Sequence, residues 1–525
     1  MPTLSAISGI FALKIRKSDV FLAVLSGALA SLSFPKFNLS FLAWVSFIPL
    51  LFIITNKKPG QSFLLGLIAG FSFNAILIYW IPAVPAHYGN LSLVFSLLIY
   101  ILFVLFLALF WAFFCFLFSK IHQSFPKSIF ILAPFLWISF EYILTYFLTG
   151  FPWGLIGYSQ YKNIYFIQLT AITGIYGLSF VLILFQSLFV FSMNRRKKIH
   201  FFVGLALVFL IHLSGFLSVR ENPQTENSFT ASVIQGNVSS DIYWNQVSSQ
   251  EIWNLFERHM DLTRKAHWEG SRLIIWPEFS VPLCFSCSSD IYQDFKETLF
   301  EFVQETGRTL LLGTNETTRT PTDLNYHNTA LCLSPYLSMT QYYKMHLVPF
   351  GEYTPYKKIF FFIEKMTHAI GGITPGTEYT LHQFEGKKFG SPICYEIIFP
   401  NLVRKFVKKG ANFLVTITND GWYGKSSAPY QHFSIAVFRA VENRRYLLRA
   451  ATTGISGIID PYGRILTKSG LMTKTHLTGN IIPSQALTFY TKYGDILPIA
   501  SLTLSMLFLI LAILKRKHER KSAGF

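Results

Sequence analysis

Gly390-Ser-Pro-Ile-Cys-Tyr-Glu396 closes an apolar run, Lys388–Cys394, and opens a polar turn at a cysteine. Two fragments upstream share that placement. Trp276-Pro-Glu278 follows the apolar Leu273-Ile-Ile, and Tyr343-Lys344 ends a segment that begins at Met339. A glutamate, a lysine and a cysteine, each at the end of a strand pattern, can make a nucleophilic site. A free thiol with a pKa of ~8.5 is mostly protonated at neutral pH. An ammonium such as Lys344 favours the thiolate. A carboxylate such as Glu278 can take the thiol proton and return it to a leaving group. The lysine can also face the oxyanion of a tetrahedral intermediate. Base, cation and nucleophile are then a complete minimal set, and no cofactor and no metal are expected. Taken singly each residue is ordinary, because a lone buried cysteine is more often a small core hydrophobe.

The surrounding stretch, 219–496, alternates strand and helix patterns. Ser228–Val238, Leu273–Trp276, Thr309–Gly313, Tyr326–Leu333, Met339–Lys344, Lys388–Cys394 and Phe413–Thr418 read as strands. Residues 247–266, Asp290–Glu305, Asn401–Lys409 and Pro429–Arg445 read as helices. Such alternation predicts a layered α/β domain, and the stretch is long enough for a real core.

The rest of the chain is of another kind. Of its 525 residues 51% are hydrophobic and only 14% charged, against about 25% charged in a usual soluble domain. Apolar spans run approximately 20–35, 40–55, 62–82, 91–118, 128–147, 163–191, 199–218 and 497–514. Several exceed the ~20 residues that cross a bilayer; the first two are short and fit a tight helical hairpin. Residues 1–35 resemble a signal peptide at Ala28-Leu-Ala30, but the spans that follow at once favour an uncleaved first span. The net charge of +18 would suit nucleic acid, yet much of it lies in short clusters beside the spans: Lys14, Arg16 and Lys17; Lys57 and Lys58; Lys120 and Lys127; Arg195 to Lys198; Lys515 to Lys521. That is the positive-inside pattern, no nucleic-acid motif accompanies it, and nucleic-acid binding is set aside. With a cytoplasmic N-terminus every cluster returns to one side, which places 219–496 outside the cytoplasm. The expected division is a transmembrane bundle at 1–218, a catalytic domain at 219–496, and a last transmembrane helix with a basic cytoplasmic tail at 497–525.

Four stretches carry a family resemblance: Trp276-Pro-Glu278, Tyr343-Lys-Met-His-Leu-Val-Pro-Phe-Gly-Glu352, Ile393-Cys-Tyr-Glu396 and Thr418-Asn-Asp-Gly-Trp-Tyr-Gly424. They resemble the carbon–nitrogen hydrolase (nitrilase) superfamily, which implies a Glu-Lys-Cys triad on an αββα sandwich. With the flanking spans, the resemblance narrows to the apolipoprotein N-acyltransferases. Thr149-Gly-Phe-Pro-Trp-Gly154 with Gly157-Tyr-Ser-Gln160, Gln235-Gly-Asn237 followed by Trp244, and Ala428-Pro-Tyr-Gln-His432 with Arg439-Ala-Val-Glu442 and Arg449-Ala450 extend it over nearly the whole chain. Carried over position by position, it implies Glu278 as general base, Lys344 as oxyanion and thiolate partner, and Cys394 as nucleophile. It implies Glu352 and Glu396 as acidic supports, and Tyr395 and Trp244 as aromatic residues near the substrate path. Two positions depart from the family pattern: Glu141-Tyr-Ile-Leu-Thr145 has no arginine, and Thr452-Thr453-Gly454 has no asparagine.

The resemblance implies transfer of an acyl chain from a phospholipid, such as phosphatidylethanolamine, to the α-amino group of an S-diacylglyceryl cysteine on a bacterial lipoprotein. It implies a multi-pass protein of the inner (cytoplasmic) membrane whose catalytic domain faces the periplasm; nothing in the sequence demands a partner subunit, so a monomer is expected. Two other readings compete. A membrane-tethered nitrilase-type amidase acting on a small periplasmic amide would use the same triad, but one anchoring span would suffice for it. A transporter or binding protein with a degenerate outer domain would not keep Glu278, Lys344 and Cys394 together. Cys284-Phe-Ser-Cys287 is open between a local disulfide, free thiols, and a metal or redox role. Cys115 and Cys332 read as core. Lys357–Thr367, with Phe360, Phe361 and Phe362 between basic residues, reads either as core or as a loop at the membrane interface. Glu141 lies within a span, where carboxylates are costly and often functional. Asn419-Asp-Gly421 reads as a turn that shapes the pocket wall, and His432 as a structural hydrogen-bonding residue.

Overall fold

A computed structural model of the chain describes residues 15–219, 227–239, 248–280, 284–285, 287, 290–319, 324–336, 338–356 and 372–522. The described residues fall into two compact units. One draws on Met1–Pro82, Ser92–Ser218 and Asp495–Phe525, the other on Ala83–Leu91 and Val219–Gly494.

The first unit is helical. Lys17–Leu32 (α1) has 16 residues and stops just before Pro35, whose ring cannot continue a helix. A short apolar stretch, Ser40–Ile54, follows and ends in Ile48–Ile54 (α2). These two pieces take the place of the first two expected spans. Six helices among the described residues are long and apolar enough to cross a membrane: Pro59–Leu77 (α3), Leu93–Ser124 (α4), Ile129–Tyr146 (α5), Tyr176–Arg195 (α6), Ile199–Val219 (α7) and, at the C-terminal end, a helix over Ile496–Ser522. Lys58 and Pro59 set the start of α3, where a proline loses no hydrogen bond. Gly66 and Gly70 let α3 and α4 touch backbone to backbone: a Cβ on Gly66 would lie 2.6 Å from the Trp111 carbonyl oxygen, and one on Gly70 2.7 Å from Trp111 Cβ. Two small residues four apart are the usual means of close helix approach in lipid. Glu141, on α5, is buried. Its Oε1 accepts hydrogen bonds from Trp137 Nε1 and from the Ile156 amide, both at 2.9 Å, so the carboxylate ties the loop after α5 back onto that helix.

The second unit is a sandwich of two six-stranded sheets. The first has the order β12-β1-β2-β3-β4-β5 and the second β11-β10-β9-β8-β7-β6. The first sheet is made of Phe229–Gln235 (β1), Leu273–Ile275 (β2), Thr309–Arg319 (β3), Leu324–Leu333 (β4), Met339–Tyr343 (β5) and Thr475–Ile481 (β12). The second is made of Leu381–Phe384 (β6), Lys387–Gly390 (β7), Phe413–Thr418 (β8), Leu447–Ala451 (β9), Gly457–Ile459 (β10) and Ile465–Lys468 (β11). Each sheet has a parallel centre, β1-β2-β3 in one and β7-β8-β9 in the other, with antiparallel strands outside it. Parallel neighbours need a crossover, which helices supply. Ser249–Trp268 (α8) and Asp290–Thr306 (α9) serve the first sheet, and Pro400–Lys408 (α10) and Ala428–Asn443 (α11) the second.

Burial follows that architecture. Phe256 and Met260 of α8 and Phe295, Leu299 and Val303 of α9 pack on Ile234, Ile274, Leu310, Leu312 and Leu331 of the first sheet. Between the sheets, the Phe229 ring meets Phe384 at 4.6 Å and Phe413 at 5.2 Å. The expected α/β layering is therefore an α-β-β-α stack. The short segment Ala83–Leu91 belongs to this unit although membrane helices flank it in sequence. Its Tyr88 hydroxyl donates to the Gly421 carbonyl at 3.3 Å, and its ring meets Trp422 edge-on at 4.7 Å. Cys284 and Cys287 are joined as a disulfide, which decides among the readings left open for that pair, and Cys115 and Cys332 are buried free thiols.

Candidate active site

The parallel strands of both sheets end on the same rim, and turns there carry the polar residues inward. Glu278 sits three residues beyond β2, Lys344 one residue beyond β5, and Cys394 four residues beyond β7. All three are buried: Glu278 is 2% exposed, Lys344 1% and Cys394 5%. Lys344 Nζ lies 3.4 Å from Glu278 Oε1 and 2.9 Å from Glu352 Oε1. Sequence reasoning did not single out the residue that joins these carboxylates. Asn328, on β4, donates from Nδ2 to Glu278 Oε1 at 2.8 Å and to Glu352 Oε1 at 2.9 Å. An amide NH₂ has two donors and an ammonium three, so Asn328 and Lys344 each bridge the same two carboxylates. The remaining oxygens are also held. Glu278 Oε2 accepts from the Asn419 amide at 2.8 Å, and Glu352 Oε2 from the Val348 amide at 2.7 Å. Thr452, where the family pattern would have had an asparagine nearby, donates its hydroxyl to the Glu278 carbonyl at 2.9 Å.

Charge in the site follows from burial and these partners. Burial alone would lower the Lys344 pKa, but the Glu352 carboxylate, then Glu278, outweigh it and hold the ammonium above the ordinary lysine range. Lys344 is therefore a permanent cation. Burial pushes the Cys394 thiol up, Glu278 and Asp420 push it further, and Lys344 and a hydrogen bond from Thr418 only partly oppose them. That direction favours the protonated thiol at Cys394. Lys344 does favour the thiolate, as expected, but desolvation of a buried sulfur outweighs one nearby cation.

Glu396 has a role separate from proton transfer. It accepts from the Ile393 amide at 2.7 Å, the Met345 amide at 2.8 Å, the His346 amide at 3.0 Å and the Tyr342 hydroxyl at 2.8 Å. One buried carboxylate thus pins the nucleophile's turn to the residues that follow Lys344. Each buried amide left without a partner costs about 1–3 kcal/mol. Glu396→Ala, which orphans three of them, should destabilise the fold by more than about 3 kcal/mol. Thermal unfolding of the purified variant checks this, and an unchanged transition would refute the pinning role.

Tyr395 is buried beside Phe399 and His346, with ring centroids at 5.2 and 5.8 Å. Trp244 and the phenylalanine run Phe360–Phe362 lie outside the described residues.

The profile of the apolipoprotein N-acyltransferase N-terminal domain matches residues 26–188, and that of carbon–nitrogen hydrolases matches residues 230–487. A protein of Geobacter metallireducens named apolipoprotein N-acyltransferase is 36% identical over 491 residues, which cover 92% of this chain and 93% of that protein. Proteins of the same name from Wigglesworthia glossinidia brevipalpis and Chlorobaculum tepidum are 32% and 28% identical, over 91% and 94% of this chain and 94% and 97% of their own.

Proposed function

The chain belongs to the apolipoprotein N-acyltransferase family, and from that membership we propose that it transfers an acyl chain from a membrane phospholipid to the N-terminal α-amino group of S-diacylglyceryl cysteine on bacterial apolipoproteins. Cys394 Sγ attacks the ester carbonyl carbon while Glu278 takes the thiol proton. Lys344 faces the oxyanion. The carbon–oxygen bond to the glycerol breaks, Glu278 returns the proton to the departing lysophospholipid, and a thioester remains on Cys394. The lipoprotein amine attacks that thioester, Glu278 accepts the amine's proton, and the thiolate leaves and is reprotonated as the amide forms. Two half-reactions through one covalent intermediate predict ping-pong kinetics.

The single observation that carries this reading is the buried set of Glu278, Lys344 and Cys394 in a chain with six bilayer-length helices. A soluble acyl donor would need no such body. Each methylene taken from the bilayer into water costs about 0.8 kcal/mol, so a long acyl chain costs on the order of 10 kcal/mol. The donor is a phospholipid such as phosphatidylethanolamine, and the protein acts as a monomer. The charge clusters at Lys57, Arg195–Lys198 and Lys515–Lys521 support a cytoplasmic-membrane orientation with the catalytic unit in the periplasm.

The test is to incubate the purified protein in phospholipid with a diacylglyceryl lipopeptide and weigh the product. The lipopeptide should gain one acyl group on its amine, and Cys394→Ala should abolish the gain. Release of free fatty acid with the lipopeptide unchanged would instead make the protein a hydrolase.

A further inference from the structure

Cys394 adopts φ +51, in the left-handed region that side chains other than glycine seldom occupy. Such a backbone is strained and persists only where its surroundings over-determine it. Part of that constraint comes from a side chain that the reaction above does not use. His432, on α11 and fully buried, places Nε2 3.2 Å from the Cys394 carbonyl oxygen. A carbonyl oxygen can only accept, so Nε2 carries a proton.

The imidazole is itself clamped. Its Nδ1 lies 2.8 Å from Asp420 Oδ1 and 3.0 Å from Arg449 Nη2, an acceptor and a donor, so that side is satisfied in either protonation state. Arg449 Nη2 also donates to Asp420 Oδ2 at 2.8 Å, and Thr418 Oγ1 to Asp420 Oδ1 at 3.3 Å. Asp420 packs directly on Gly454, where a Cβ would stand 2.3 Å from its Oδ2. The residue before Asp420 is Asn419, whose amide holds Glu278. One loop therefore fixes the carboxylate directly and the cysteine backbone through His432.

We propose that His432 is a positioning residue for the nucleophile: its Nε2–H bond fixes the Cys394 carbonyl and with it the left-handed turn that presents the thiol to Glu278 and Lys344. Asp420 and Arg449 fix the imidazole in turn. The proposal rests on the acyl-enzyme reading of this site.

Glutamine and asparagine separate this role from a merely structural one. The amide nitrogen of glutamine reaches the place of Nε2 and can serve the Cys394 carbonyl. That of asparagine reaches only the place of Nδ1 and serves Asp420. Single-turnover acylation of Cys394 by phospholipid is followed by peptide mass, alkylation of Cys394 by iodoacetamide is mapped the same way, and melting temperatures are taken for wild type, His432→Gln and His432→Asn. Misplacing a reacting group by about 1 Å can cost about 10²-fold, so His432→Asn should lose about that factor in acylation rate at unchanged KM for phospholipid. His432→Gln should recover to within about tenfold of wild type on the same argument, with both variants melting together. The alkylation rates should rank in the same order. Equal rates for the two variants, or rates that simply follow melting temperature, would overturn the proposal. If wild type takes up no acyl group, the acyltransferase reading fails instead, and the alkylation ranking still decides the role of His432.

Discussion

Lys344→Met should abolish turnover and loosen the fold together. Lys344 is 1% exposed and is bonded to Glu352 and Glu278. Methionine keeps an unbranched side chain one atom shorter and removes the charge. Two buried carboxylates would then share only the Asn328 amide. Breaking a buried ion pair by removing one partner costs about 3–5 kcal/mol, because the other charge stays buried and uncompensated. Loss of an oxyanion donor alone costs about 10²–10³ in rate. The expected result is a fall in acylation rate of at least about 10³, with a lower melting temperature. Lys344→Arg should not rescue, since a planar guanidinium cannot reproduce a point ammonium between two carboxylates. A variant that melts normally and keeps a tenth of the activity would show that the lysine is neither.

Glu278→Gln isolates the base. The amide preserves size, so the fold should largely survive, but it cannot accept a proton. General-base assistance is typically worth about 10²–10⁴, and the effect here should fall at the upper end because burial pushes the Cys394 thiol up. The pH profile gives a sharper reading. With no base, the rate follows the thiolate fraction, and a thiol whose pKa lies above the working range gains thiolate about tenfold per pH unit. The variant's acylation rate should therefore climb steadily between about pH 7 and 9 without a plateau. A plateau reached inside that window would mean a thiol pKa below about 8 and contradict a thiol that burial pushes up.

The parts of this site that were legible in the sequence are those at strand ends. Glu278, Lys344 and Cys394 each close an apolar run, and a side chain just past a strand end must face a rim; the two sheets bring those rims together. Glu352 and Glu396 were legible only through the family motifs, since nothing in their spacing reveals that one bonds Lys344 and the other four donors around the nucleophile's turn. Asn328 was missed because it sits inside a strand pattern. Its signal is a polar residue in the run Tyr326–Leu333, but one inward asparagine in a strand is equally a rim or bulge residue until the partner sheet is in place.

Strand limits failed for a related reason. β3 extends through Asn315-Glu-Thr-Thr-Arg319, well past the expected Gly313, because antiparallel pairing with β4 satisfies the backbone where side-chain alternation is absent. β12 has no strand pattern of its own: Thr475–Ile481 is strand because β1 needs an antiparallel neighbour on its open edge. The Asp420, His432 and Arg449 cluster comes from three different elements, and no local rule joins them. For the membrane unit, hydropathy located the six long helices found among the described residues, but the first two of the eight expected spans are Lys17–Leu32 and Ser40–Ile54, which fall short of bilayer length.

The central claim is that Cys394 carries the acyl group between donor and acceptor. It is tested most directly by incubating the purified protein with phospholipid alone, digesting it, and measuring the mass of the peptide that contains Cys394. An added acyl mass on that peptide, removed by neutral hydroxylamine and absent in Cys394→Ala, is the predicted result. Full transfer of acyl to lipopeptide by Cys394→Ala, or a wild-type peptide that stays unmodified while transfer proceeds, would contradict it.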